Sequence, residues 1–431
     1  MELSYFVILL ILLGCMAATV PVFMCLFFTA VMGFVLFTDL PVLVLAQSLF
    51  RSMDKFALVV VLYFILCGNI MTAGTTVDKL IKVANVLVSW LPGGLGMAGV
   101  IACGLFGAIS GSTVATVVAL GGFMIPALIE NGYQEKYTLG LMTTSPNLGV
   151  IIPPSIGMIL YCMISNVSLE GLFLTGFVPG LLIIVATCVY SYFYYRKRTD
   201  FVRMPVPDFK QVISTLKEGF WALMLPVIIF GGIFSGAFTA NEAAVVACVF
   251  AFVVELFIHK SIKFSDVKRI TVSSAVTSAT LLIIVAGATC FGRYLTLEDI
   301  PGKITEVVLS NIQSPILFLA VLNILLLIVG MFMDIISATL ILGPVFLPML
   351  GAFDINPMHF GLILVVNLAI GYCTPPMGVS LYITGSIANR DLVYVSKAVM
   401  PFLAIQIGVL ILMTYWPELV LWLPDKFGYL D

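Results

Sequence analysis

Charge is scarce in this chain. Only 10% of its 431 residues are Asp, Glu, Lys or Arg, against 61% hydrophobic. A soluble domain of this length needs more charge to cover its surface, so a soluble globular protein is excluded. Mean hydropathy is +1.17, and the charges sit in short clusters between long apolar runs. About 20 apolar residues cross a bilayer, and many such runs occur. The sequence reads as an integral protein of the lipid bilayer.

Histidine is scarcer still, with only His259 and His359, far apart. No CxxC or HExxH spacing occurs, which argues against a metal site built on Cys and His. The nine cysteines all fall in apolar segments, where an odd set reads as packing rather than as a disulfide framework. No basic region precedes the first apolar run, as a cleavable signal would require, so that run is expected to stay as a span. No basic run with interleaved aromatics points to nucleic acid.

What the chain does contain is an internal echo. A shift of 222 residues carries Pro126 onto Pro348, Pro153-Pro154 onto Pro375-Pro376 and Pro179 onto Pro401, without a gap. Proline is costly inside a helix, so such a register points to duplicated structure. The expected halves are 1–222 and 223–431. Apolar spans are expected at 3–19, 20–37, 56–73, 138–164 and 171–195, and again at 219–234, 241–258, 271–292, 357–386 and 399–422. Amphipathic or polar stretches at 76–90 and 293–313 read as interfacial helices bracing a moving part.

Segments 93–126 and 315–348 differ from the spans. Each is apolar at both ends and polar at its centre, with Ser110, Ser112 and Thr113 in one and Asp334, Ser337 and Thr339 in the other. At roughly 1.5 Å per residue, each holds two half-length helices and reads as a re-entrant hairpin. The expectation is an all-α polytopic fold of about ten spans and two hairpins. Five spans per half would invert the second repeat relative to the first. With both termini outside, 15 of the 20 basic residues fall on the cytoplasmic side, as the positive-inside rule requires. Arg196, Lys197, Arg198 and Arg203 form one inner cluster. Arg51, Asp54 and Lys55 read as a solvated outer loop, and Glu242 as a charge at a helix start.

Inverted-repeat transporters bind solute and ions where broken helices meet near mid-bilayer. Here the breaks are TTSPNLGVIIPPS (143–155) and NLAIGYCTPPMGVS (367–380), whose prolines leave carbonyls without helical donors. Carbonyls and hydroxyls form a hard oxygen cage suited to Na⁺. One expected site uses Ser110, Ser112, Thr113, Ser145, Asn147 and Gly149. The other uses Asp334, Ser337, Thr339, Gly371, Thr374 and Met377, the last through its backbone oxygen. Ser112, Thr116, Ser155 and Ser337 are the hydroxyls expected to meet the solute. Taken singly, each small residue reads equally as a helix-packing contact, and each proline as a kink. Their repetition favours the ion sites. Asp334 stands apart, because a carboxylate in an apolar segment is functional by default, although a short hairpin would leave it in interfacial water.

The hairpin SGSTVATVVALGGFMIPALIENGY, the segments TTSPNLGVIIPPSIGMILY and NLAIGYCTPPMGVSLYI, and the turn SGAFTANEAA resemble the large membrane subunit of tripartite ATP-independent periplasmic (TRAP) transporters over nearly the whole chain. The resemblance implies an elevator mechanism and Na⁺ coupling in the bacterial inner membrane. It implies a small four-helix membrane subunit as partner, expected as a separate polypeptide, and a periplasmic substrate-binding protein that delivers an organic acid. Overall similarity leans to the sialic-acid branch, with C4-dicarboxylates the other choice. A self-sufficient Na⁺/carboxylate symporter is the rival within transport. An intramembrane enzyme is the rival outside it: 108–111 superficially resembles a rhomboid nucleophile loop. No histidine is expected within a span to act as base, and no second membrane aspartate completes a GxGD pair. A scaffold role leaves the duplicated breaks unexplained.

Overall fold

The structure is a computed structural model that describes residues 2–18, 20–38, 41–198, 201–202 and 204–430. Arg203 of the inner basic cluster lies outside the described residues. Among these there is helix and no strand. Among the described residues, nine helices are long and apolar enough to span a membrane by length and composition, or ten if the bent pair Leu43–Met53 and Leu58–Ala73 counts as one span. The outer faces agree: Leu181, Val185, Val189 and Phe193 recur every fourth residue along one helix and are all exposed. An apolar stripe of that kind, turned outward, is suited to lipid rather than water.

One set of helices comprises α1 (Glu2–Ala17), α2 (Val22–Phe37), α3 (Leu43–Met53), α4 (Ala57–Ala73), α13 (Phe209–Phe234), α14 (Ala240–Val253) and α15 (Phe264–Leu297). Within it α15 packs on α2, α3 and α4, and α14 packs on α4 and α13. At 34 residues α15 is about 51 Å long, well beyond the roughly 30 Å hydrocarbon layer.

The second set contains both polar-centred segments and both interrupted spans. Its first hairpin joins α6 (Gly94–Ser110) to a return arm built from α7 (Thr113–Thr116), a π-helical turn (Val117–Gly121) and α8 (Gly122–Glu130). The first interrupted span is α9 (Glu135–Thr144), a 3₁₀ turn (Ser145–Asn147), α10 (Leu148–Ile151) and α11 (Ile156–Ser165), followed by α12 (Leu169–Tyr195). The second hairpin is α17 (Pro315–Phe332) with α18 (Ile335–Ala352). The second interrupted span is α19 (Pro357–Gly371) with α20 (Val379–Ala388), followed by α21 (Leu392–Tyr415) and α22 (Glu418–Lys426). Two shorter helices, α5 (Thr76–Val88) and α16 (Ile300–Asn311), connect the sets. The first lies against α6 and α13, the second against α15 and α18.

Both segments do fold back on themselves. In the first, Tyr133 Oη, just past the return arm, accepts from Leu95 N at the start of α6 at 3.2 Å. In the second, the Phe318 and Phe353 rings stack with centroids 4.2 Å apart, joining the start of α17 to the end of α18. Gly111 makes the first turn, with φ of +61°, a backbone region that suits glycine.

Several boundaries differ from those expected. Each return arm runs past its proline, to Glu130 and Ala352, with Pro126, Pro344 and Pro348 inside the helices. The stretch 51–55 is not simply a loop, because Arg51 lies in the last turn of α3. Residues 293–297 complete α15, so the second connector begins only at Ile300. The last span ends at Tyr415, before Pro417, because a residue that precedes proline disfavours the helical conformation. His359 lies in the first turn of α19, buried, with Nε2 2.8 Å from Met413 O; a histidine therefore does occur within a span.

Candidate functional site

The two hairpin tips are built alike. Ser112 caps its return arm by accepting from Ala115 N at 3.4 Å. Asp334, 222 residues later, accepts from Ser337 N at 2.9 Å and from Ser337 Oγ at 2.5 Å. The positive end of each arm's dipole thus points into the tip.

Each tip lies against an interrupted span. A methyl group built at Gly149 would stand 2.7 Å from Thr116 Oγ1 and 2.9 Å from Ser112 O. One at Gly111 would stand 2.6 Å from Pro154 O, and Ile156 N approaches Gly111 O at 3.5 Å. In the other half, Ile335 N donates to Tyr372 Oη at 3.0 Å. A methyl at Gly371 would stand 2.5 Å from the Gly330 backbone. Glycine is required at these positions because backbone meets backbone there. The interrupted spans also break at the same place, with Pro153-Pro154 and Pro375-Pro376 both cis.

The two assemblies adjoin. Ile335 of the second tip packs toward Gly157, just beyond the first break, while Cys373 Sγ lies 3.1 Å from Thr143 O and 3.4 Å from Asn147 Oδ1. The expected residues thus form one region rather than two distant ones.

Their side chains are not equally available. Thr113 Oγ1, Ser145 Oγ and Thr339 Oγ1 are buried without a hydrogen-bond partner. Buried hydroxyls without partners are uncommon, and oxygens of this type fit Na⁺. Ser110 Oγ is 3.2 Å from Thr116 Oγ1, which itself donates to Ser112 O at 2.8 Å. Ser155, also buried, caps α11 through Met158 N at 3.4 Å. Thr374 Oγ1 donates to Ile370 O at 2.8 Å, and Met377 is 52% exposed. Asn147 donates its amide Nδ2 to Gln406 Oε1 at 2.9 Å.

Gln406 was not among the expected residues. It is buried on α21, and its Nε2 donates to Thr144 O at 2.8 Å, a carbonyl at the first break. A second polar group joins Asn367 Nδ2 to Asn323 Oδ1 at 2.6 Å and Asn323 Nδ2 to Thr414 Oγ1 at 3.2 Å. The available signal was a lone amide within an apolar run, as in each of these helices.

Residues 9–419 match the family described as "Tripartite ATP-independent periplasmic transporter, DctM component". The chain belongs to this family. The TRAP large permease of Rhodobacter capsulatus named for C4-dicarboxylates is 35% identical over 440 residues, covering 99% of this chain and 100% of that protein. The Vibrio cholerae large permease named for sialic acid is 33% identical over 418 residues, covering 97% and 98%. An isethionate TRAP permease of Oleidesulfovibrio alaskensis is 37% identical over 381 residues, covering 88% of this chain and 60% of its own length. The Alcanivorax borkumensis YdaH transporter, a crystal structure 14% identical, has a TM-score of 0.62 over 88% of this chain and 89% of its own; that likeness is one of fold alone. As a TRAP large permease the chain is a multi-pass inner-membrane subunit of a secondary transporter, not an enzyme. TRAP large permeases work with a small membrane subunit and a periplasmic binding protein.

Proposed function

We propose that this TRAP permease carries an organic anion inward with Na⁺, through an elevator movement of the hairpin-bearing helices past the others. The observation that carries this reading is the pairing of each capped tip with an interrupted span, beside the unpartnered hydroxyls of Thr113, Ser145 and Thr339. Two Na⁺ are assigned, one per half, in oppositely oriented repeats covering 1–222 and 223–431. The first site draws on Ser110, Ser112, Thr113, Ser145, Asn147 and Gly149. The second draws on Asp334, Ser337, Thr339, Gly371, Thr374 and Met377. Two Na⁺ with a monoanion carry net positive charge, and each charge moved inward gains about 2.3 kcal/mol per 100 mV.

A small four-helix membrane subunit and a periplasmic binding protein are the proposed partners, and the solute is an organic acid. Relatives named for C4-dicarboxylates reach 38% identity and those named for sialic acid 33%, a difference that favours neither strongly. The test is uptake by proteoliposomes holding both membrane subunits, supplied with the binding protein. Replacing Na⁺ by K⁺ is expected to abolish uptake. Undiminished uptake without sodium would refute the coupling, and sodium-driven uptake without the binding protein would favour a self-sufficient symporter.

A further inference from the structure

One cavity lies between the two helix sets. It has a volume of about 600 Å³, with α3 and α15 on one side and the end of α11 and the middle of α18 on the other, a volume typical of small-ligand sites. Three cations line it, Arg51, Lys55 and Arg293, together with Asn166, Thr296 and Pro344, and no Asp or Glu is among its lining residues. Lys55 Nζ donates only to a carbonyl, Met163 O, at 3.1 Å. Among the described residues, none of the three cations has a carboxylate partner.

A concave site with three uncompensated cations holds a positive potential that concentrates anions. Its walls come from both helix sets, and Pro344 belongs to the return arm that Asp334 caps. By the positive-inside assignment, 51–55, 163–166 and 288–296 all lie at the outer membrane face.

We propose that this cavity is an entry station for the solute: a vestibule that takes up a small oxyanion, carboxylate or sulfonate, from the outside before it reaches the hairpin tips. The guanidinium forks of Arg51 and Arg293 suit the two oxygens of such a group, and Lys55 adds a point charge. The vestibule attracts the anion, and the tips carry the ions. This role rests on the proposed inward transport of an organic anion.

The test uses the assembled transporter in liposomes, with Thr296→Cys as a reporter in the cavity and the unsubstituted chain as background. Negatively and positively charged methanethiosulfonates of similar size are compared. The negative reagent is expected to label faster, and the ratio to fall roughly tenfold in R51Q/K55Q/R293Q. Succinate, isethionate or N-acetylneuraminate is expected to slow labelling by the negative reagent. R293K is expected to keep the ratio where R293Q lowers it, a comparison that stands even if the triple variant does not assemble. A ratio unmoved by neutralisation, or labelling slowed by the binding protein but by none of the free anions, overturns the proposal. Sodium dependence is measured separately, so uptake without Na⁺ alongside intact anion protection would count against the coupling and not against the vestibule.

Discussion

Gln406 on α21 holds Asn147 at the first helix break, its Oε1 accepting the Asn147 amide at 2.9 Å while its Nε2 donates to Thr144 O at 2.8 Å. The two residues are 259 positions apart, so the second half of the chain sets the geometry of an interruption in the first. Gln406→Leu keeps the bulk but leaves a buried amide and a buried carbonyl unpaired. The expected cost is about 1–3 kcal/mol, read as a lower melting temperature of the purified complex. A variant as stable as the parent would show that these bonds contribute nothing.

Asp334 combines two roles that one substitution separates. Asn caps helices about as well as Asp, so Asp334→Asn is expected to leave thermal stability almost unchanged. It removes the negative charge, and with it a charge-assisted contact worth about 1.5–3 kcal/mol. The Na⁺ concentration for half-maximal uptake should rise roughly 10- to 100-fold. Unchanged sodium dependence would remove Asp334 from the ion site.

Gly149→Ala places a methyl 2.7 Å from Thr116 Oγ1 and 2.9 Å from Ser112 O. The tip must move away from the break, at about 1–3 kcal/mol, and sodium-driven uptake should fall more than the amount of folded protein does. Gly122→Ala is the control, since nothing lies within 4 Å of its added methyl. Equal behaviour of the two variants would count against a tight contact between tip and break.

Glu255 is fully buried in the π-helical turn that follows α14 (Val254–Ile258) and accepts from Thr75 N at 3.2 Å and Thr76 N at 3.0 Å, with the Thr76 and Ser261 hydroxyls also bound. Glu255→Ala strips the start of α5 of its acceptors and is expected to cost about 3 kcal/mol or more, measured by thermal unfolding. Glu255→Gln keeps one acceptor oxygen and should lose less. If the two are equally damaging, the negative charge matters more than the count of bonds.

The hairpins were legible because their signal is local. Ser110 and Ser112 interrupt one apolar stretch and Asp334 interrupts the other, and the proline register carries the pattern from half to half. The arm ends were less legible, because Pro126 and Pro348 look like stops but sit within helices. Arg51 was read as part of a loop because a short helix leaves little periodicity to detect. Gln406 and Glu255 could not be assigned partners at all. The contacts that join them to other helices lie 259 and 179 residues away, although Glu255 also meets nearby Ser261, and nothing in the local sequence encodes the distant partner.

The buried seat that Glu255 provides for Thr75 and Thr76 gives α5 one fixed end, while its length lies between α6 of the first hairpin and α13 of the other helix set. A rod pinned at one end works as a lever. Under the proposed movement the corner at Gly74 is the fulcrum, so a probe near Val88 should sweep a wider arc than one near Thr76. The stroke available to the hairpins would then be limited by the length of a thirteen-residue helix.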